Sequence, residues 1–246
     1  SLTFPFLRHL VAVDSLRTTG AIEGWDSFMA RGESVSPGLV DATAASVSPA
    51  DPGVLFFSSG STGKPKGILG AHRGVCLQLW RWGKWLGLDE GVRSWSANGF
   101  FWSGNFAIGI GGTLSAGGAL VLQPTFQAEE AIALMDAERV SYLFAWPHQW
   151  AQLVDAKNYL EADLSALRYL DVNSPITRHP SVNAGYFDPS HGYGNTETFT
   201  LTTMFSADTP KEIAGDSYGA VVAGNTIKIV DPLTGNTVKI KEKGEI

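Results

Sequence analysis

Residues 54–67 read VLFFSSGSTGKPKG. A short apolar run passes directly into a loop that concentrates three glycines, four hydroxyls and two lysines. Beyond it, residues 72–86 place Val75, Leu79, Trp82 and Leu86 at i, i+4, i+7 and i+11, which is the spacing of one helix face. The stretch therefore reads as a buried strand, a Gly-rich loop and an amphipathic helix, and the same alternation continues downstream. Strands are expected at 94–97, 119–122, 142–145 and 166–172. Between them, helices are expected at 128–139 and 148–159, and the Gly-rich stretch 106–118 is expected to pack as a helix. This β/α order predicts an α/β fold with a mostly parallel sheet flanked by helices.

Upstream, residues 7–13 (LRHLVAV) read as a short, mostly buried strand. Residues 14–47 read as a polar, irregular connector with one short helix around 25–31. At the other end the pattern changes. Two alternating runs, 226–230 and 237–241, flank a turn at 231–236 and predict an antiparallel hairpin, the start of a small barrel-like β-rich subdomain. The expected division is an α/β part over 1–215 and a β-rich part over 216–246. The chain stops at Ile246 within what reads as a further strand, so truncation is expected.

Composition limits the function classes. Of 246 residues, 44% are hydrophobic and 17% charged, enough apolar content for a substantial core. Lys and Arg number 18 against 24 Asp and Glu, a net charge of −6 with no run of five or more like charges, which argues against broad nucleic-acid binding. The single cysteine, Cys76, rules out an internal disulfide framework and a multi-cysteine zinc site and fits a reducing, cytoplasmic setting. The apolar stretch 107–122 is interrupted by five glycines, so no membrane span is expected, and the first residues lack the form of a secretory signal.

The loop 58–67 has a clear physical use. Glycines let backbone N–H groups approach phosphate oxygens, hydroxyls add hydrogen bonds, and a lysine neutralises charge. It is not a Walker A loop, which would need Gly at 58 and Ser or Thr at 65, where Ser58 and Pro65 stand. A flexible Gly/Ser connector is the competing reading, and the flanking strand and helix speak against it. The second constellation is GYGNTET at 192–198. Its ring, hydroxyl and carboxylate can stack on a base, bind a phosphate and hold a hard cation, although alone it would serve as a Gly-rich turn.

Together, SSGSTGKPKG and GYGNTET resemble the AMP-forming, adenylate-forming enzymes: acyl- and aryl-CoA synthetases, peptide-synthetase adenylation domains and firefly-type luciferases. LRHLV, GAIEGWDSFMARGE, Pro147, LSALRYL at 164–170 and IKIVDPLTGNTVKIKEKGEI lie in the family's order, so the resemblance covers nearly the whole chain and looks most like fatty-acyl-CoA ligases. It implies that Ser58, Ser59, Gly60, Ser61, Thr62 and Gly63, with Lys66, wrap the β- and γ-phosphates of ATP. It also implies that Tyr193 stacks on adenine beside Gly194, Asn173 and Ser174, that Thr196 binds the α-phosphate, and that Glu197 holds Mg²⁺. Lys66, Thr196 and Glu197 are the implied catalytic set. The implied reaction is attack of a carboxylate on the α-phosphorus with loss of pyrophosphate, followed by transfer of the acyl group to CoA, in keeping with fatty acid metabolism. A carrier-protein thiol as acceptor and a non-catalytic nucleotide-binding domain are the alternative readings.

For the acid, NGFFWSGNF at 98–106 stands at the family's aromatic acyl motif, with Phe101, Trp102, Gly192 and Asn195 as the implied substrate-binding set. No acid lies in that motif. A buried ammonium would lack a counter-charge, so an apolar carboxylic acid is expected rather than an α-amino acid. Two departures from the family stand out: Trp102 replaces a frequent histidine, and Asn173-Ser174-Pro175 replaces Gly-Gly-Ala-Pro. A ribose-binding segment and a mobile C-terminal domain are expected to follow residue 246, so the chain alone is expected to turn over little. Among the remaining residues, GIGG at 109–112 reads as close helix packing, His72, His148, His179 and His191 as structural or surface groups, and Cys76 as a small buried residue.

Overall fold

On the central strand pair, successive side chains face opposite cores: Tyr142 belongs to one apolar cluster and Leu143 to the other. This two-residue alternation is what a sheet covered on both faces requires. The structure, a computed structural model, describes residues 5–13, 20–58, 63–183 and 191–246. These fall into two compact units, Ser1–Asp51 and Pro52–Ile246.

In the first unit, β1 (Leu10–Ala12) pairs in parallel with β2 (Ile22–Gly24). Leu7, Leu10 and Val13 are exposed, so the expected strand forms but is not the buried one anticipated. The short helix expected around 25–31 forms directly after β2 as α1 (Trp25–Ala30). The rest of the expected irregular connector is corrected by a 3₁₀ turn (Arg31–Ser34) and a second helix, α2 (Pro37–Ala45). The Ser36 hydroxyl accepts the Leu39 N–H at 3.2 Å, and Pro37 starts α2, a capping arrangement that contributes about 1 kcal/mol.

In the second unit, β3 (Pro52–Ser58) pairs antiparallel with β4 (Lys66–Ala71), and α3 (His72–Trp85) follows at once. The expected strand–loop–helix is thus a hairpin, with Ser58 opposite Lys66. Gly67 and Gly70 interrupt the apolar pattern of β4, which hid its strand character. A parallel sheet runs in the order β6 (Ala119–Val121), β5 (Arg93–Ser96), β7 (Tyr142–Phe144). Of the strand expected at 166–172, the structure retains bridge residues at Tyr169 and Asp171, with Tyr169 paired in parallel to Tyr142. The Arg168 and Tyr169 N–H groups both donate to the Ser141 carbonyl, at 2.8 and 2.9 Å.

One face of this sheet is covered by α6 (Ala128–Ala137) and α7 (Pro147–Val154), whose Ala131, Ile132, Met135, Trp150 and Leu153 pack with Trp95, Leu164, Leu167, Leu170 and Ile176. Each fully buried side chain of this kind contributes about 1.5–3 kcal/mol. Helix α7 is shorter than expected and gives way to a 3₁₀ turn at Tyr159–Glu161. The other face carries α3, through Val75 and Trp82 with Leu86 directly after the helix, and a helical stretch made of α4 (Ser103–Asn105), a π-helical turn (Phe106–Gly112) and α5 (Thr113–Ser115). A Cβ on Gly111 would collide with Leu79, so the GIGG segment does serve close helix packing. Cys76, in contrast to expectation, is exposed.

Next come β8 (Gly192–Asn195) and β9 (Thr200–Met204), then α8 (Lys211–Ala214) and β10 (Ala220–Val221). The three strands form an antiparallel sheet in the order β10, β9, β8. The expected C-terminal hairpin is reduced to isolated antiparallel bridges from Val230 to Thr237 and to Glu245, with the Asp231 N–H donating to the Asn236 carbonyl at 2.9 Å. No closed barrel forms among the described residues. No helix among them is long and apolar enough to cross a membrane.

Candidate functional site

Open parallel sheets bind ligands beyond the carboxyl ends of their strands. Here the chain leaves β7 through Ala145 and Trp146, leaves the Tyr169 bridge through Asp171 and Asn173, and leaves β5 toward Trp102. All five of these residues line a single cavity of about 520 Å³. Trp82, Ile108, Leu143 and Phe144 complete its apolar wall. Gly192, Gly194, Asn195 and Thr196 on the β8–β9 hairpin, with Thr200, Leu201 and Met204, close the opposite side. The volume suits a small organic ligand.

The aromatic wall is a mutual contact. Trp102 lies 5.5 Å from Trp146 and 6.5 Å from Phe144, and Phe144 lies 5.9 Å from Trp146. Polar groups behind it fix the backbone on both sides. Gln149 accepts the Trp146 N–H at 2.8 Å and donates to the Ala97 carbonyl at 3.1 Å. Asn105, fully buried, accepts from the Ser96 hydroxyl at 2.8 Å and donates to the Asn98 carbonyl at 2.6 Å. The π-helical turn begins directly after Asn105 and presents Ile108 to the cavity. Such turns are frequent at functional sites.

The β8–β9 hairpin is held in an unusual backbone. Phe199 and Thr200 have φ of 47° and 84°, values that bulky and β-branched residues rarely adopt. The surroundings enforce it. Phe199 is buried against Phe56 and Phe106. The buried Gln78 amide donates to the carbonyls of Phe199 and Leu201 at 3.1 and 2.7 Å, and the Trp82 indole N–H donates to the Thr200 hydroxyl at 3.0 Å. In the turn itself, Asn195 Oδ1 accepts from the Thr198 N–H at 2.9 Å and from its hydroxyl at 3.0 Å.

Of the residues expected at the site, the structure brings Trp102, Asn173, Gly192, Gly194, Asn195 and Thr196 together around this cavity. Tyr193 is partly exposed on β8 and Glu197 is exposed in the turn, both outside the lining. Phe101 is 87% exposed and does not line it either. Ser174 turns inward, its hydroxyl accepting the Ile176 N–H at 3.3 Å. Ser58 and Lys66 pair at the loop end of the β3–β4 hairpin, and Gly63, between them in the chain, has φ of 77°. Ser59, Gly60, Ser61 and Thr62 lie outside the described residues.

Sequence reasoning missed Phe144, Trp146 and Asp171. Their shared signal is position at the carboxyl end of an expected parallel strand. Asp171 matters most, because the expectation of an acid-free pocket considered only residues 98–106. The chain brings a carboxylate to the same cavity from another strand. Behind it, burial and then the Asp171 charge push the Tyr142 phenol upward, which keeps it neutral.

No group of three or more His, Cys, Asp or Glu side chains suited to a metal exists among the described residues. Mg²⁺ needs none, since it is commonly held by one or two carboxylates together with substrate phosphates. The exposed Glu197, adjacent to the cavity-lining Thr196, fits that mode.

Comparison with known proteins agrees with this architecture. A model of the AMP-binding enzyme family matches residues 8–246. A methyl-dioxo-octahydroindenyl propanoyl:CoA ligase of Mycobacterium tuberculosis is 32% identical over 165 residues, covering 67% of this chain and 32% of the relative. The 4-coumarate–CoA ligase 1 of Arabidopsis thaliana is 24% identical over 258 residues, covering 96% of this chain and 44% of the relative. Among solved structures, the anthranilate CoA ligase AuaEII in complex with anthranoyl-AMP aligns with a TM-score of 0.59 at 26% identity, over 78% of this chain and 38% of that one. The chain thus spans from about a third to under half the length of these relatives. It belongs to the AMP-binding enzyme family.

Proposed function

We propose that the protein activates a largely apolar carboxylic acid as its acyl-adenylate, with release of pyrophosphate, and then transfers the acyl group to CoA. The observation that carries this reading is one cavity shared by the GYGNT hairpin and the Trp102–Phe144–Trp146 wall. Two motifs read separately along the chain, one suited to a nucleotide and one to an acyl group, meet there. The CoA-ligase relatives support the choice of reaction.

In this reading a carboxylate oxygen of the acid forms a bond to the α-phosphorus of ATP. The bond from that phosphorus to the bridging oxygen breaks, and pyrophosphate leaves with the electron pair. The CoA thiol then loses its proton and attacks the acyl carbon, expelling AMP. Little covalent chemistry falls to the protein, so its work is positioning and charge neutralisation. Thr196 donates to the α-phosphate from the cavity side. Lys66, with the loop from Ser58, neutralises the β- and γ-phosphates. Glu197 holds Mg²⁺, which when bound offsets negative charge on the phosphates. The aromatic wall excludes water from the acyl group.

The test is ATP–pyrophosphate exchange by the full-length protein with a panel of fatty, alicyclic and aromatic acids. The reading expects acid-dependent exchange followed by CoA-dependent thioester formation. Exchange with α-amino acids alone, or with no acid, contradicts it.

A further inference from the structure

We propose that Arg81 is a positioning residue for adenylation: through the Gln78 amide it holds the β8–β9 hairpin in the backbone that sets Thr196 at the cavity. The inference rests on reading that hairpin as the nucleotide side of the site. Arg81 is buried on α3, 6% exposed, and none of the ion pairs among the described residues includes it. A guanidinium taken out of water without a carboxylate is costly unless other acceptors meet it. Two do. Nη1 donates to Gln78 Oε1 at 3.2 Å, and Nη2 donates to the Ala223 carbonyl just beyond β10.

The first of these contacts fixes how the Gln78 amide faces. Arginine carries donors only, so it takes the amide oxygen and leaves the amide nitrogen aimed at the hairpin. That nitrogen donates to the carbonyls of Phe199 and Leu201 at 3.1 and 2.7 Å. A flipped amide would set N–H against guanidinium N–H and oxygen against two carbonyls, so one orientation survives. Phe199 passes the constraint on, because its own N–H donates to the Thr196 carbonyl at 3.0 Å. The path from Arg81 through Gln78 and Phe199 to Thr196 is therefore hydrogen-bonded at every step. Phe199 and Thr200 hold φ of 47° and 84°, a backbone that persists only where its surroundings over-determine it. Without the Arg81 donors, Gln78 Oε1 is left unpaired in the interior, the amide is free to turn, and the hairpin loses one of its holds. Thr196 then drifts from the α-phosphate, and a displacement on the order of 1 Å costs about 10²-fold in rate.

The experiment uses the full-length protein and compares wild type, Arg81→Met and Arg81→Lys in acid-dependent ATP–pyrophosphate exchange, at a temperature where circular dichroism shows each variant folded. Arg81→Met keeps a long side chain and removes its donors. It is expected to lower kcat/KM for ATP by about 10²-fold, about tenfold of it as a higher KM for ATP, with the KM for the acid within about threefold of wild type. A purely structural role for Arg81 lowers the active fraction instead, so that kcat falls while both KM values are unchanged. Arg81→Lys keeps the charge but cannot serve two acceptors from separate nitrogens. The same selective rise in the KM for ATP is expected there, at about threefold, and this variant carries the test should Arg81→Met not fold. Combining Arg81→Lys with Gln78→Leu is expected to be no worse than Gln78→Leu alone, because both act on one path, and losses that multiply overturn the inference. So does an unchanged KM for ATP in the folded variants, or a change confined to the KM for the acid. Those results leave the ligase reading standing, whereas wild-type exchange with none of the acids removes both.

Discussion

The carbonyl of Thr200 occupies the space where a side chain on Gly194 would have to begin. The two residues sit on facing strands of the β8–β9 hairpin, in a register that slips between Tyr193 and Gly194, and a Cβ on Gly194 would fall inside the Thr200 carbonyl group. The glycine is therefore a requirement of the hairpin that lines the cavity. Gly194→Ala is expected to lower stability by more than about 2 kcal/mol and to abolish nucleotide binding. Chemical denaturation and calorimetric titration with ATP check the two effects separately.

Gln78 joins the same hairpin to α3. Its buried amide serves the carbonyls of Phe199 and Leu201, so Gln78→Ala leaves buried acceptors unpaired. The expected cost is about 1–3 kcal/mol, read from urea denaturation. Gln78→Glu, which has nearly the same shape, is expected to be no better, because it sets oxygen against oxygen.

Charge removal at the proposed phosphate site has a different signature. Lys66→Ala and Glu197→Gln alter exposed side chains and are expected to leave the melting temperature within a degree or so of wild type, on the order of surface substitutions generally. Adenylation is expected to fall by about 10²–10³, as loss of a group that stabilises transition-state charge does. Single-turnover formation of acyl-adenylate is the measurement.

Away from the site, Asp163 gives a pH prediction. Hydrogen bonds from Ser165, through its side chain and its backbone N–H, together with the Arg139 guanidinium at 2.6 Å, hold its carboxyl at about 2, below the ordinary value of 3.8. A carboxyl depressed in the folded state stabilises the fold above its unfolded value, and that contribution disappears as pH falls from about 4 toward 2. Wild type is therefore expected to melt above Asp163→Asn at pH 6, with the gap narrowing as the pH drops below about 4. Parallel melting curves of the two proteins across that range show it.

The parallel sheet and its helices were legible because their apolar residues follow clean periods: Val75 and Trp82 on α3 with Leu86 at its C-cap, and Tyr142 with Leu143 on β7. Strand β4 was not, because Gly67 and Gly70 interrupt its apolar pattern. Helix α2 was passed over although Ser36 and Pro37 mark its start, since its residues bury no strong apolar face. At the site, the glycine-rich motifs pointed to the hairpin that lines the cavity. Asp171 was missed because its role comes from tertiary placement: only the parallel order of the sheet brings the ends of β5, β7 and the Tyr169 bridge to one place.

The central claim is that nucleotide and acyl groups share the cavity between the β8–β9 hairpin and the aromatic wall. A crystal structure of the full-length protein with an acyl-sulfamoyl-adenosine, a non-reactive mimic of the acyl-adenylate, tests it most directly. The account predicts the adenosine against Gly194 and Thr196 and the acyl group against Trp102 and Trp146. An analogue bound elsewhere, or one bound here with the acyl group directed away from those two rings, would contradict it.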